Sequence, residues 1–377
     1  MLTQTIEFMA RQITIAHLAR RLDVHPSTIS LALRDSREVS EATRRRVCAL
    51  ARRLRYSPNQ IARCLRQRAS RTLGVVFPYA TLPYYATLLD AIYAEAHDRG
   101  LHLDVRFHQW DAREEEIAIR SLIERRVEGL ILLPAARCSC DTLHRNLSAS
   151  ISFPVALVGL SPFKNLPRAV RGWVGTDMRW GSRQLGEHLL EMGHRRIAFL
   201  TPERPTRTSS IGMRLAGLHS ALREQPDATL QVVHLDENER PDGGATQVAQ
   251  RGSSARNSFL VGQRLAARFL EISPRPTAAI TPDETMAHVL LASLSAGGLR
   301  VPDDVSLACY DGTHLSEFGG VPLTCVKQPI EEMARNLVDL AVCTPACVEH
   351  LSACDTHRQT ADRPPVRGAT PDPNGRG

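Results

Sequence analysis

Three hydroxyl side chains in one short stretch, Ser27, Thr28 and Ser30, follow Pro26. From a helix lying in a major groove, such short hydroxyls can reach base edges or phosphate oxygens. Nearby stand Arg44, Arg45, Arg46, Arg52 and Arg53. Residues 1–71 hold 15 Arg against 5 acidic residues, so the overall +7 leaves the rest of the chain at −3. A polyanion is therefore attracted to one end of the molecule. A merely solvated helix face is the plainer reading of the hydroxyls, and the basic surface beside them argues against it.

Other chemistry is poorly represented. The nine cysteines include only two close pairs, Cys138 with Cys140 and Cys343 with Cys347, and neither is backed by a second pair or a His cluster at zinc spacing. Reduced thiols are expected, with no metal and no cofactor. Phosphate-cradling glycine loops and nucleophile motifs are missing, which argues against an enzyme.

Thr14 can cap a helix with Ile15, Leu18, Ala19 and Leu22 on one face, and Pro26 suits the first turn of a second helix directed inward by Ile29 and Leu33. The pattern leaves Ser27, Thr28 and Ser30 on the exposed face. Ser40 can cap a third helix, Glu41 to Leu54, whose arginines face outward to hold phosphates. Two short helices joined by a tight turn, with a third behind them, predict a helix-turn-helix DNA reader.

From Thr72 onward, short apolar runs alternate with amphipathic helices, which predicts parallel sheets covered on both faces. The expected fold is a small all-α helix-turn-helix headpiece followed by an α/β core of two doubly wound Rossmann-like lobes. Residues 1–56 are expected to form the headpiece, 57–71 a hinge helix and linker, 72–350 the core, and 351–377 a disordered tail. With no long apolar run and no basic-then-apolar start, the chain is expected in the cytoplasm beside DNA, without a membrane partner.

The motifs are specific enough to name a resemblance. Thr28-Ile29-Ser30, Val39-Ser40 through Val47, and Tyr56-Ser57-Pro58-Asn59-Gln60-Ile61-Ala62-Arg63-Cys64-Leu65 are similar to the lactose-repressor family of bacterial transcription regulators. So are Gly193 to Phe199, Gly298 to Ser306 and Pro322 to Pro329. The resemblance implies a periplasmic-binding-protein-like core, a homodimer on a double-stranded operator, and control by a small effector. For that effector it implies a sugar or sugar derivative first, and a nucleobase second.

Residue by residue, the resemblance implies DNA contacts from Thr14, Pro26, Ser27, Thr28, Ser30, Thr43, Asn59, Ala62 and Leu65. Pro26 and Ser27 would select bases, and Leu65 would wedge into a minor-groove step. In the core, Arg214 would donate to effector hydroxyls or a carboxylate, and Asp311 would accept from the effector. Asp283 stands where the family has Asn, and Ser210 lies on the loop before Arg214. Tyr84 and Tyr85 would stack on a flat ligand face. Plainer alternatives stay open: a helix cap for an aspartate, an ion pair for the arginine. His25 replaces the family's usual Ser cap, Leu31 replaces a frequent Arg, and Gly159 replaces a frequent Asp. A transporter's solute-binding protein shares the two-lobed fold, but it would carry a signal peptide and no basic helices.

Overall fold

The computed structural model describes residues 13–54, 56, 70–135, 147, 151, 153–159, 168–202, 204–205, 210–236, 254–318, 321–342, 359–360 and 366–367. The chain divides into two compact units, Met1–Ser70 and Arg71–Gly377. The expected sites at Asn59, Ala62 and Leu65 lie outside the described residues.

The first unit contains α1 (Ile15–Leu22), α2 (Pro26–Ala32) and α3 (Glu41–Arg53). Leu18, Ile29, Val47 and Leu50 fill its centre, with Ala19, Ala32, Val39 and Ala51 around them. Each large aliphatic side chain contributes roughly 1.5–3 kcal/mol by burial. So small a unit has little surplus stability, and its helix caps matter. Thr14, His25 and Ser40 provide those caps.

In the second unit, one lobe contains β1 (Thr72–Phe77), α4 (Pro83–Asp98), β2 (His102–Phe107), α5 (Ala112–Glu124), β3 (Gly129–Leu132), β4 (Val155–Val158) and β5 (Val170–Thr176). The chain then crosses to the other lobe with α6 (Met178–Glu191), β6 (Arg196–Thr201), α7 (Ser210–Leu222), β7 (Thr229–His234), α8 (Ser254–Leu270), β8 (Ala278–Ile280), α9 (Glu284–Ala296), β9 (Ser306–Asp311), α10 (Leu315–Phe318) and β10 (Thr324–Lys327). It returns as α11 (Ile330–Val342), which packs on the first lobe, and ends in β11 (Gln359–Thr360) and β12 (Val366–Arg367).

The first sheet has strand order β11-β5-β4-β3-β1-β2 and is parallel throughout. The second has order β12-β10-β9-β8-β6-β7, parallel except for β12. Alternation along a strand explains the helical cover. Leu73, Val75 and Phe77 pack on α4 and α11, whereas Val76 faces Ile119 and Leu122 of α5. Likewise Ile197 and Phe199 meet α6 and α7, and Ala198 and Leu200 meet α8 and α9.

Three expectations change. Strand β5 was not legible, because VRGWVGT mixes two glycines and an arginine into its apolar run. The tail after residue 350 departs from the disorder expected of it: β11 extends the first sheet, and β12 pairs antiparallel with β10 within the segment Val366 to Thr370, whose sequence resembles the end of the family's last strand. Ser210 is not a loop residue but opens α7.

Candidate functional site

In the headpiece, Pro26 removes one backbone donor at the start of α2, and Ser27 supplies the next N–H. His25 caps that N–H through its ring: the Ser27 N–H donates to Nδ1 at 3.3 Å. The Ser27 hydroxyl also lies 2.7 Å from the same Nδ1. Pro26 and Ser27 are exposed and Thr28 is half-buried.

Ser30 departs from the reading that placed it on the exposed face. It is 8% exposed, and its hydroxyl accepts from Arg34 Nη2 at 2.7 Å. A helical turn presents only part of its circumference outward, and the apolar neighbours Ile29 and Ala32 draw Ser30 inward. Leu31, half-buried, packs against the same core.

Thr14 is exposed and bonded to His17, with 2.9 Å between its Oγ1 and the ring Nδ1. Thr43 Oγ1 lies 2.9 Å from Ser40 Oγ. The arginines of α3 divide their work. Arg44 pairs with Asp35 at 2.7 Å, and Arg45 pairs with Glu41, while Arg46, Arg52 and Arg53 are exposed.

Within the two-lobed unit, the carboxyl ends of the strands bring Arg214, Asp283 and Asp311 together. Arg214 is 7% exposed; its Nη1 donates to the Pro282 carbonyl at 2.7 Å, and its Nη2 lies 3.6 Å from Asp311 Oδ1. The guanidinium sits over the Tyr310 ring at 4.3 Å. Its buried Nε has no hydrogen-bond partner among the described residues. A buried donor left without an acceptor is costly, so a ligand oxygen is the natural complement.

Asp311 ends β9 at φ +88°, a left-handed conformation that costs about 1–3 kcal/mol in a residue with a side chain. The next residue must be glycine, since a Cβ on Gly312 would lie 2.7 Å from Lys327 Cα. Burial pushes the Asp311 carboxyl up to about 7; Arg214 opposes this, and Asp283 adds to it. Asp283 is also raised by burial, while its Oδ1 caps α9 by accepting the Met286 N–H at 2.8 Å. The plainer alternatives, cap and ion pair, are thus both realised in these residues, beside the unfilled Arg214 donor.

Tyr84 and Tyr85 occupy the first turn of α4, after Pro83. Burial raises the pKa of both phenols, and both also feel the charges of Asp311 and Arg214 from the other lobe. The tyrosines of one lobe are thus within electrostatic reach of Arg214 and Asp311 of the other. Ser210 is exposed and makes no described contact with them.

Several residues of this site were not singled out from the sequence. Tyr79 meets Tyr85 edge-on at 5.4 Å, and Trp110 lies 6.5 Å from Tyr85 and 6.4 Å from Tyr79. Gln109 and Trp110 both have positive φ, at +50° and +62°, a strained pair that turns the indole towards this cluster. His108 holds the bend: its Nδ1 accepts the Trp110 N–H at 3.1 Å, so the other nitrogen, Nε2, donates to the Leu133 carbonyl at 2.9 Å. Burial pulls its pKa down to about 4, which keeps the ring neutral.

A polar chain also joins the lobe crossings to this site. The Thr176 hydroxyl donates to Gln328 Oε1 at 2.9 Å, and Gln328 Nε2 donates to Asp311 Oδ1 at 2.6 Å. Thr176 ends β5 and Gln328 follows β10, the two segments that carry the chain between lobes. Gly159 is accounted for by its backbone: at φ +110° an aspartate would be strained.

Comparison with known proteins adds to this geometry. Residues 14–59 match "Bacterial regulatory proteins, lacI family". Residues 70–245 match "Periplasmic binding proteins and sugar binding domain of LacI family", and 187–345 match a periplasmic binding protein-like domain. The HTH-type transcriptional repressor PurR of Aliivibrio salmonicida is 25% identical over 331 residues, covering 87% of this chain and 90% of that protein. PurR of an Escherichia coli O1:K1 strain is 27% identical over 339 residues, covering 87% and 89%. Among solved structures, the lac repressor dimer bound to operator and the anti-inducer ONPF superposes with TM-score 0.69 at 24% identity, covering 91% of this chain and 93% of that one. The regulator CelR in complex with cellobiose gives TM-score 0.55 at 24% identity, covering 88% and 92%. With the headpiece and both lobes matched in the same order, the chain belongs to the lacI family of bacterial regulatory proteins.

Proposed function

We propose that the chain is a ligand-responsive transcriptional repressor that binds a palindromic DNA operator as a homodimer. A small effector, held between the lobes of its core, would control it. The observation that carries this reading is the buried Arg214 Nε–H without an acceptor among the described residues, paired with Asp311 and within electrostatic reach of Tyr84 and Tyr85, in a chain that also carries a basic helix-turn-helix.

A polyol suits such a site. Its hydroxyls can accept from Arg214 and donate to Asp311 while a ring face lies against the aromatics. The matched sugar-binding description and the cellobiose complex of CelR support a sugar or sugar derivative as effector. Tyr84, Tyr85, Arg214, Asp283 and Asp311 are the proposed contacts; Ser210 is retained only through its place at the start of α7. On DNA, Pro26, Ser27 and Thr28 would face bases, with Thr14, Thr43 and the exposed arginines on phosphates. Operator binding places the protein in the cytoplasm, and its work is binding without turnover.

Coupling between the two ligands must be reciprocal: an effector that weakens operator binding is itself bound more weakly by the operator complex. The test is selection of bound duplexes from random DNA at stated salt, followed by titration with a carbohydrate and nucleoside library. Absence of any palindrome bound more tightly than random DNA would end the proposal.

A further inference from the structure

We propose that His25 is a positioning residue that fixes the hydrogen-bond polarity of Ser27, so that the Ser27 hydroxyl meets the operator only as an acceptor and selects an exocyclic amino group. The inference rests on the DNA-reading role of the headpiece and goes beyond it in naming the chemical group that is read.

The tautomer of His25 sets the polarity of Ser27. A backbone N–H can only donate, so the Ser27 N–H at 3.3 Å requires an unprotonated Nδ1 on His25. The same bare nitrogen lies 2.7 Å from Ser27 Oγ, and it has no proton to give, so the hydroxyl is the donor. A serine hydroxyl has one proton and two lone pairs. With the proton committed to His25, only lone pairs remain for a partner, and Ser27 is exposed to receive one.

A freely rotating serine would accept either polarity and discriminate poorly. In the major groove the donors are adenine N6 and cytosine N4, whereas purine N7, guanine O6 and thymine O4 are acceptors. An acceptor-only hydroxyl therefore fits an amino group and is repelled by the other edges. Ser30 has a different environment, its hydroxyl accepting from Arg34 at 2.7 Å, and does not share this constraint.

The experiment uses the full chain. Selection from random duplexes defines the operator, and S27A identifies the base pair whose preference depends on Ser27. At that pair, analogues then delete single groups: a purine or pyrimidine lacking its exocyclic amine, or a 7-deazapurine lacking N7. Loss of the amine is expected to weaken wild-type binding at least about fivefold, and loss of N7 less than about twofold. H25A should collapse this contrast, because the freed hydroxyl can then donate.

H25N should keep the contrast, since its side-chain oxygen can take the place of Nδ1 in accepting from both Ser27 groups. If H25A fails to fold, the wild-type profile and H25N still decide the matter. A larger loss from N7 deletion than from amine deletion overturns the proposal. So does an unchanged contrast in H25A, or an S27A variant that erases no base preference. A selection that yields no palindrome at all defeats the DNA-reading role itself, a different failure.

Discussion

Asp311 and His108 are both buried, and burial shifts them in opposite senses, the carboxyl up to about 7 and the imidazole down to about 4. Between about pH 4 and 7 the folded protein holds a proton on Asp311 that the unfolded chain has released. Stability from this group is therefore present at low pH and lost as pH rises through 7. For His108 the unfolded chain takes the proton first, so its contribution is present above about pH 6.5 and lost as pH falls towards 4. Asp311→Asn removes only the first slope. Thermal unfolding should accordingly show the stability of wild type relative to D311N declining from pH 4 to pH 7; a constant difference would mean that the carboxyl is not held protonated. Arg214→Ala is expected to destabilise the core by about 2–4 kcal/mol, since it removes one partner of a buried pair. The loss is limited because Asp311 is already held protonated below about pH 7. In a denaturant titration of R214A, a change under about 1 kcal/mol would contradict a net contribution from the pair. These two residues were legible only through family motifs. Thr176 reaches Asp311 through Gln328, and Trp110 reaches Tyr85, by contacts between segments distant in sequence, which no local pattern records.

At the scale of elements, the headpiece depends on side-chain caps more than on helix length. α2 has only seven residues, and isolated helices of that size do not hold themselves together in water. Ser40 caps the longer α3 by accepting the Thr43 N–H at 3.3 Å. Ser40→Ala should cost about 1 kcal/mol of headpiece stability and reduce operator affinity by the matching fraction of unfolded headpiece. Circular dichroism melts of the full chain followed at helix-sensitive wavelengths would register it, and a variant melting like wild type would remove the cap from the account. Periodicity located most helices and most parallel strands to within a few residues, because burial on one or both faces imposes a strict pattern; β10 and α11, beyond Asp311, are covered by the family resemblance and not read as elements. It failed at β5, where Gly172 and Gly175 interrupt the pattern, and at β11 and β12, whose two residues are too few to carry any period. It also misjudged Ser30, since a half-buried helix turn leaves room for only two or three outward positions.

At the scale of the molecule, the open edges of the two sheets bear on assembly. Among the described residues β2 and β7 each form one edge of a sheet, with β11 and β12 at the other, and the helices beside β2 and β7 carry large exposed apolar side chains: Tyr93 at 56% and Ile117 at 55% in one lobe, Phe259 at 47% in the other. Single exposed apolar residues are ordinary on a protein surface. Such side chains beside β2 and beside β7 are what a second copy of the chain would cover, and a stable interface buries about 800 Å² per partner. A palindromic operator requires such a pair, because one headpiece reaches only one half-site. The double variant Tyr93→Glu, Ile117→Glu places two charges where the partner would sit. Sedimentation at micromolar concentration should then report a monomer, where wild type reports a dimer. Operator affinity should fall by about 10²–10⁴, the factor by which tethering two half-site readers exceeds one. Binding to random DNA, set by the arginines of each headpiece, should change far less. A variant that stays dimeric would move the interface elsewhere on the core; one that becomes monomeric yet keeps full operator affinity would mean that the two headpieces do not act together.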